Sequence, residues 1–518
     1  MTRPRPAAVL RRSAQVLLAP GAAADKPEHV FDRDQEWRGL SKFAGNAHRG
    51  ALLGVVSGRR RQGKSFLLEA LATATGGLYF PALEETEAVS LRAFAGALTR
   101  QGIVVSRPLA NWGDAIRLLL SAVRDEPRVV VIDEFPFLVK ASPSLPSVIQ
   151  RELGPGGAGR GSMARLLLCG SAMAVMGQLL AGQAPLRGRA SLELLVRPFG
   201  YRDAASFWGA DPRLAVLLHS VVGGTPAYRR ELAAFDAPDD LDDFDPWLIR
   251  TVLNPQSPLF REARYLLAEE TEIRDPALYH SVLGAIAAGN RTNGGIASFI
   301  GRKSADLTHP LKVLEDCSLV VRAPDVFRRG RSTYQVAEPL INFYEAIMRP
   351  EWFRLEAGHA QAVWRDQRAA FLSQVAGPHF ESLCRSFAQS SGADLFGVPV
   401  GEVGSGTVND PGSKNQIEVD VVVFAPAAPG ESRRIVSLGE VKWGEVMGRK
   451  HIERLRRARD LLAPTFDTSE CVLACYSAAG FHPELQTAAE KDPRLALITL
   501  ADIYRPTTLP EPPARPSS

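Results

Sequence analysis

The run Ala51 to Val56 is apolar and short, the next residues read Gly58-Arg59-Arg60-Arg61-Gln62-Gly63-Lys64-Ser65, and Phe66 to Ala74 continues with helical character. Two glycines five apart followed by Lys-Ser, set between a strand and a helix, form a P-loop, and a P-loop commits this part of the chain to an α/β fold with a buried parallel sheet. Gly58 and Gly63 let backbone N–H groups turn inward around a β-phosphate, so that Arg61, Gln62, Gly63 and Phe66 line the cradle at the positive end of the helix. Lys64 is expected to reach the β- and γ-phosphates and the Ser65 hydroxyl to ligate Mg²⁺, which makes ATP and Mg²⁺ the expected cofactors. The cradle uses backbone groups, so the side chains of Arg59, Arg60 and Arg61 are expected to be solvated.

A second element follows at the spacing this site requires. Arg128 to Ile132 is a buried strand that ends in Asp133-Glu134, where Asp133 would hold the magnesium-bound water and Glu134 would act as general base on the attacking water. A third strand, Arg165 to Cys169, runs into Gly170-Ser171, which puts a polar side chain, Ser171, where a γ-phosphate can be sensed. Beyond it, Pro185-Leu186-Arg187-Gly188-Arg189 carries two arginines on a loop. Arg189 is the preferred arginine finger, within its own subunit or across a homo-oligomeric interface, and a plain surface arginine is the alternative.

These segments, with Phe31-Asp32-Arg33-Asp34-Gln35-Glu36 before the first strand, Gly223-Gly224-Thr225-Pro226 and the linker Arg274 to Tyr279, resemble the archaeal-type ATPases of prokaryotes. That group lies within the AAA+/STAND P-loop division, and its members often carry a winged helix and a nuclease-like C-terminal domain. The resemblance spans roughly Phe31 to Tyr504 and implies that Arg33 flanks an adenine base and that Pro226 contacts it from a helical lid.

At 518 residues the chain is too long for one core and is expected to divide into about three or four domains. Residues 1–28 read as a flexible tail in which Arg11-Arg12 and the following apolar stretch only imitate a signal peptide, since Pro20 interrupts it. Residues 29–200 are expected to be the ATPase core, 201–272 the helical lid, 273–345 a winged helix-turn-helix, 346–505 a nuclease-like domain, and 506–518 a proline-rich disordered tail. In the winged module, helices at 278–288, 296–300 and 304–316 precede strands at 318–322 and 333–336, which are joined by the basic loop Phe327-Arg328-Arg329-Gly330-Arg331. Arg328, Arg329 and Arg331 are the expected phosphate contacts to DNA. Pro310 argues against an undistorted recognition helix, so an interdomain packing role stays open.

The C-terminal part changes to a helix at 369–390 followed by β segments. Ile417 to Phe424 and Ile435 to Lys442 are strands, expected to pair as an antiparallel hairpin. Period-two alternation puts Glu440 and Lys442 on one face, with Asp420 opposite. Asp420, Glu440 and the Val441 carbonyl can hold Mg²⁺, Lys442 can orient or deprotonate the attacking water, and Glu381 on the preceding helix can assist. The set Glu381, Asp420, Glu440-Val441-Lys442 is similar to the PD-(D/E)xK restriction-endonuclease-like superfamily, with Val419 standing where that pattern has proline. A basic helix, Met447 to Leu462, follows it and reads equally as a solvated face or a phosphate track.

Composition sets outer limits. The 23% charged, 45% hydrophobic balance is globular and the formal net charge of +4 neither demands nor forbids nucleic acid. Five scattered cysteines make neither a disulfide framework nor a zinc site and fit a reducing cytoplasm. No apolar run approaches the 18 or so residues of a membrane span. The reading is an α/β protein with a P-loop AAA+ core, helical lid, winged helix-turn-helix and restriction-endonuclease-like domain. It would hydrolyse ATP, act on DNA and cut phosphodiesters under nucleotide control; the alternative is a STAND-type assembly switch whose C-terminal domains bind DNA or protein without cutting.

Overall fold

A computed structural model describes residues 21–268, 275–428 and 431–505. The signal-like Arg11-Arg12 segment, Arg274 of the linker, two residues of the turn between the hairpin strands and the proline-rich tail lie outside the described residues. The chain divides into two compact units, Met1–Arg197 and Pro198–Ser518.

In the first unit five strands, β1 (Leu52–Ser57), β2 (Leu78–Pro81), β3 (Arg128–Asp133), β4 (Ala164–Gly170) and β5 (Ala190–Leu195), form one sheet in the order β2-β3-β4-β1-β5. Every neighbouring pair is parallel. The strands of the interior, β1, β3 and β4, are nearly continuous apolar runs because both faces are covered. Period-two alternation sorts their side chains into two cores. Val130, Ile132, Leu166 and Leu168 pack with the helices Glu87–Arg100 and Trp112–Ala122 on one face. Val129, Val131, Leu167 and Cys169 pack with Asp34–Ala44 and Lys64–Ala74 on the other. Strand β5, at the edge, alternates half-buried and exposed residues.

The second unit opens with helices, Tyr201–Trp208, Pro212–Val222, Phe244–Arg250 and Pro258–Ala268 among them. Next come Pro276–Ala287, Asn293–Ile300 and Thr308–Asp316, then the antiparallel hairpin β6 (Val320–Pro324) and β7 (Ser332–Val336). Pro310 does not distort the third helix. A 3-10 turn, Ser304–Leu307, precedes it, so Pro310 falls in the first α-helical turn, where a missing N–H costs little.

The long helix Gly377–Phe396 packs on a second sheet made of β8 (Val403–Asp410), β9 (Asn415–Phe424), β10 (Ile435–Lys442), β11 (Val472–Ser477) and β12 (Leu495–Thr499). The sheet runs in sequence order, with β8, β9 and β10 antiparallel and β10, β11 and β12 parallel. The β9/β10 pair is the hairpin read from the sequence. Cys471 and Cys475 are buried in the core of this sheet. Its outer strand, β8, receives the loop between β6 and β7 through a bridge from Asp325 to Ser405.

Candidate functional site

Two clusters of charged side chains lie on apolar strands, one in each unit. In the first, β1 leads into the loop with Gly58 at φ 151°, Arg61 at φ 67° and Gly63 at φ 86°. A Cβ on Gly58 would stand 2.3 Å from the Val196 carbonyl oxygen, so only glycine fits there. Lys64 begins the helix, and its buried Nζ donates to the Arg59 carbonyl at 2.8 Å. Burial lowers the Lys64 pKa, with Cys169, Glu134 and Asp133 acting in the opposite sense.

One feature of this loop departs from the sequence reading, and two more add to it. Arg59 is not solvated but 7% exposed. Arg33 braces the loop: one guanidinium nitrogen donates to the Gln62 carbonyl at 3.1 Å and the other to Glu36 at 2.9 Å. Phe66 is 40% exposed and meets the ring of His29 edge-on at 5.6 Å.

Asp133 ends β3 as a buried carboxylate. One oxygen accepts the Tyr79 hydroxyl at 2.6 Å and the other accepts the Glu134 N–H at 2.9 Å. Burial works to raise its pKa, but hydrogen bonds from Cys169, Ser65 and Tyr79 override burial and hold it below the usual carboxylate value. Asp133 is therefore an anion. Tyr79 comes from β2, a strand of four residues with no motif around it, and no sequence signal marked it. Glu134 sits in the left-handed region at φ 50°, and the Ser171 hydroxyl donates to both its carboxylate oxygens at 3.3 Å. Arg189 is exposed and makes no side-chain hydrogen bond or ion pair among the described residues. In the second unit, Pro226 is half buried after the turn Gly223-Gly224-Thr225, which packs against Phe199: a Cβ on Gly224 would lie 2.0 Å from the Phe199 carbonyl oxygen.

The second cluster joins β9, β10 and the long helix. The Asp420 carboxylate accepts the Val441 N–H at 2.8 Å, a side-chain bond from β9 to the backbone of β10 just beyond their last ladder pair, Gly439 with Val421. Glu440 is 1% exposed; its Oε1 accepts Lys442 Nζ at 2.8 Å and Arg454 at 2.9 Å, while its Oε2 is buried without a partner. Arg385 donates to the Asp420 carbonyl at 3.0 Å from one nitrogen and to the Ser382 hydroxyl at 3.0 Å from the other. Burial raises the Glu381 pKa, opposed by Arg385 and Arg291. Burial, then the charges of Glu381 and Glu440, push Asp420 up to about 7.

A carboxyl pushed towards neutrality by burial and by two other carboxylates, beside an orphaned carboxylate oxygen, is a site that can gain from added positive charge. That is the electrostatic profile a divalent cation relieves. Among the described residues no three His, Cys, Asp or Glu side chains are arranged to hold a metal; the expected donors here are two carboxylates and the Val441 carbonyl. For Lys442, burial is outweighed by the bond to Glu440 and by the Asp420 charge, so its pKa lies above the usual value. Lys442 thus stands as a cation beside Glu440 and Asp420, placed to orient a water or offset phosphate charge.

The two basic features beside the cluster are largely engaged within the unit. Arg328 bonds to Asn409 on β8, whereas Arg329 and Arg331 are exposed. On the helix Arg449–Leu462, Arg454 is bonded to Glu440, Arg457 to Asp410, Lys450 to Glu445 and Arg459 to Asp460. Among the described residues, Arg449 and Arg456 are its exposed cations without an ion pair. No helix among the described residues is long and apolar enough to cross a membrane.

No family model matches the chain. An uncharacterized protein of Methanocaldococcus jannaschii is 25% identical over 361 residues, which make up 69% of this chain and 76% of that protein. Among solved structures, a Walker-type ATPase of Pyrococcus abyssi aligns with a TM-score of 0.46 at 18% identity, over 62% of this chain and 98% of that one. The ORC2 protein of Aeropyrum pernix, in ADPNP–ADP complexes, aligns with a TM-score of 0.38 at 14% identity, over 67% of this chain and 97% of that one.

Proposed function

We propose that the protein binds and hydrolyses ATP in its first unit and acts on DNA through its second, where the C-terminal sheet cleaves phosphodiesters. The observation that carries the nucleotide half is the loop itself: positive φ at Gly58, Arg61 and Gly63, a glycine whose Cβ has no room, and an ionised Asp133 held by the Tyr79 hydroxyl and the Glu134 N–H. Gly58 to Ser65 would wrap the phosphates with backbone N–H groups, and Lys64 would leave the Arg59 carbonyl to meet them. Ser65 and Asp133 would hold Mg²⁺, which when bound supplies neutralising charge to the phosphate oxygens. Glu134 would leave its Ser171 contact, orient a water towards the γ-phosphorus and accept its proton.

The cleavage half rests on the gathering of Glu381, Asp420, Glu440 and Lys442 from three elements. Asp420, Glu440 and the Val441 carbonyl fit Mg²⁺, which when bound supplies a Lewis acid. Lys442, held protonated, would offset the charge that develops on the phosphate, and the nuclease-like and winged-helix assignments follow from this set and from the three helices and hairpin before it.

A second reading, an assembly switch without cleavage, is favoured by one observation: Arg328 and most cations of the helix Arg449–Leu462 are already bonded within the unit. Assays of the wild type, Glu134→Gln and Asp420→Ala separate the two. The proposal expects Glu134→Gln to bind ATP while hydrolysis falls by about 10²–10⁴, and expects Mg²⁺-dependent nicking of DNA that Asp420→Ala abolishes. A wild type that assembles with ATP but neither nicks nor binds single- or double-stranded DNA establishes the switch instead.

A further inference from the structure

One cation at the carboxylate cluster belongs neither to the sheet nor to the helix that carries Glu381. Arg291 lies in the turn between the helices Pro276–Ala287 and Asn293–Ile300. Its carbonyl accepts the Tyr334 N–H of β7 at 2.7 Å, and β7 is tied to the long helix where the Ser382 hydroxyl donates to Gln335 Oε1 at 3.4 Å. The turn is thereby fixed beside the first turns of the helix Gly377–Phe396, with the Arg291 guanidinium in electrostatic reach of both Glu381 and Arg385.

The other cations at this cluster are spent. Lys442 and Arg454 share Glu440 Oε1, and Arg385 is divided between the Asp420 carbonyl and Ser382. Arg291 is half buried, yet its guanidinium makes no hydrogen bond or ion pair among the described residues. Its donors are therefore open to a ligand, and its planar fork matches the oxygens of a phosphate. Glu381, the carboxylate it faces, does not take those donors.

We infer that Arg291 is a phosphate-binding residue of the C-terminal site: it takes a non-bridging oxygen of a nucleic-acid backbone lying over Glu381, Asp420 and Glu440, so that the helix-and-hairpin segment before the sheet completes the site. This rests on the proposed function only so far as DNA reaches that cluster; it does not require cleavage.

The test is binding of a labelled DNA duplex to the full chain in Ca²⁺, over a series of salt concentrations, for the wild type, Arg291→Gln and Arg291→Lys. Arg291→Gln is expected to weaken binding about tenfold at low salt and to lower the slope of log K against log salt by about one, as the loss of one phosphate contact requires. Arg291→Lys keeps the charge and the slope but loses the fork, so its affinity falls a few-fold. A guanidinium that merely balances Glu381 would leave the slope unchanged, and equal slopes for wild type and Arg291→Gln overturn the inference while leaving the DNA reading intact. A wild type that does not bind DNA overturns both. If Arg291→Gln does not fold, Arg291→Lys decides, and an affinity equal to wild type rejects the phosphate contact.

Discussion

Asp420 shows how a single side chain can report what its site lacks. An Asp in an unfolded chain titrates near about 3.9, whereas burial and the charges of Glu381 and Glu440 push Asp420 up to about 7 in the fold. Between those values the folded protein holds a proton that the unfolded chain has released, so this group's contribution to stability falls as pH rises from about 4 and reaches its full penalty above about 7. Asp420→Asn can still accept the Val441 N–H while removing the charge. It is expected to raise the Tm by several degrees at pH 8 and to change it little at pH 5, by differential scanning calorimetry. Mg²⁺ at pH 8 should raise the wild-type Tm and leave that of Asp420→Asn unmoved. A gain of equal size at both pH values would show that packing, not ionisation, explains the variant. The same reasoning separates Asp133, whose hydrogen bonds keep it ionised without metal, from Asp420, which lacks donors enough to do so.

Among elements, the β6/β7 hairpin shows the packing role that its sequence reading left open beside phosphate contact. Val326 is buried in the core of the C-terminal sheet, and the Phe327 ring lies 5.8 Å from Phe466 and 6.5 Å from Phe424, while Arg329 and Arg331 stay exposed. Gly404 and Gly406 on β8 leave the room: a Cβ on either would come within 2.5 Å or less of Val326 or Phe327. Phe327→Ala is therefore expected to destabilise the second unit by about 2–3 kcal/mol, below the cost at a fully buried phenylalanine because the ring is only partly covered. Chemical denaturation followed by far-ultraviolet circular dichroism measures it, and a change under about 1 kcal/mol would mean the docking contributes little. Sequence could not show this seat, since two apolar residues in a basic loop carry no period, and the same glycines stripped β8 of the apolar pattern that betrays a strand. By contrast β1, β3 and β4 were legible because burial on both faces writes an unbroken apolar run, and β9 and β10 because valines flank the site carboxylates. Strand β2 is four residues ending in Pro81, too short for any pattern. Residues such as Tyr79, Arg385, Arg454 and Arg291 reach their sites singly from separate elements, and one polar residue without a motif is invisible until the chain is folded.

At the scale of the whole molecule, the question is whether phosphate chemistry in the first unit and nucleic-acid chemistry in the second share a free energy. If they do, the coupling is a property of both ligands at once. Whatever factor ATP applies to DNA affinity, DNA must apply to ATP affinity, and such factors commonly run from about 5 to 150. Lys64→Ala removes a side chain buried in the loop of the first unit, whereas Asp420, Glu440 and Arg291 belong to the second, so a change in the response of DNA binding to nucleotide in this variant reports on the nucleotide site. We expect ATP with Mg²⁺ to shift the wild-type affinity for duplex DNA by at least about fivefold, and to shift that of Lys64→Ala not at all. Titrating DNA by fluorescence anisotropy with and without nucleotide, and nucleotide by calorimetry with and without DNA, gives the two factors independently. Agreement between them in the wild type, with a factor of one in Lys64→Ala, identifies a single regulated machine. A factor of one in the wild type would make the chain two phosphate-handling units that act independently, and the nucleotide would then control nothing at the C-terminal sheet.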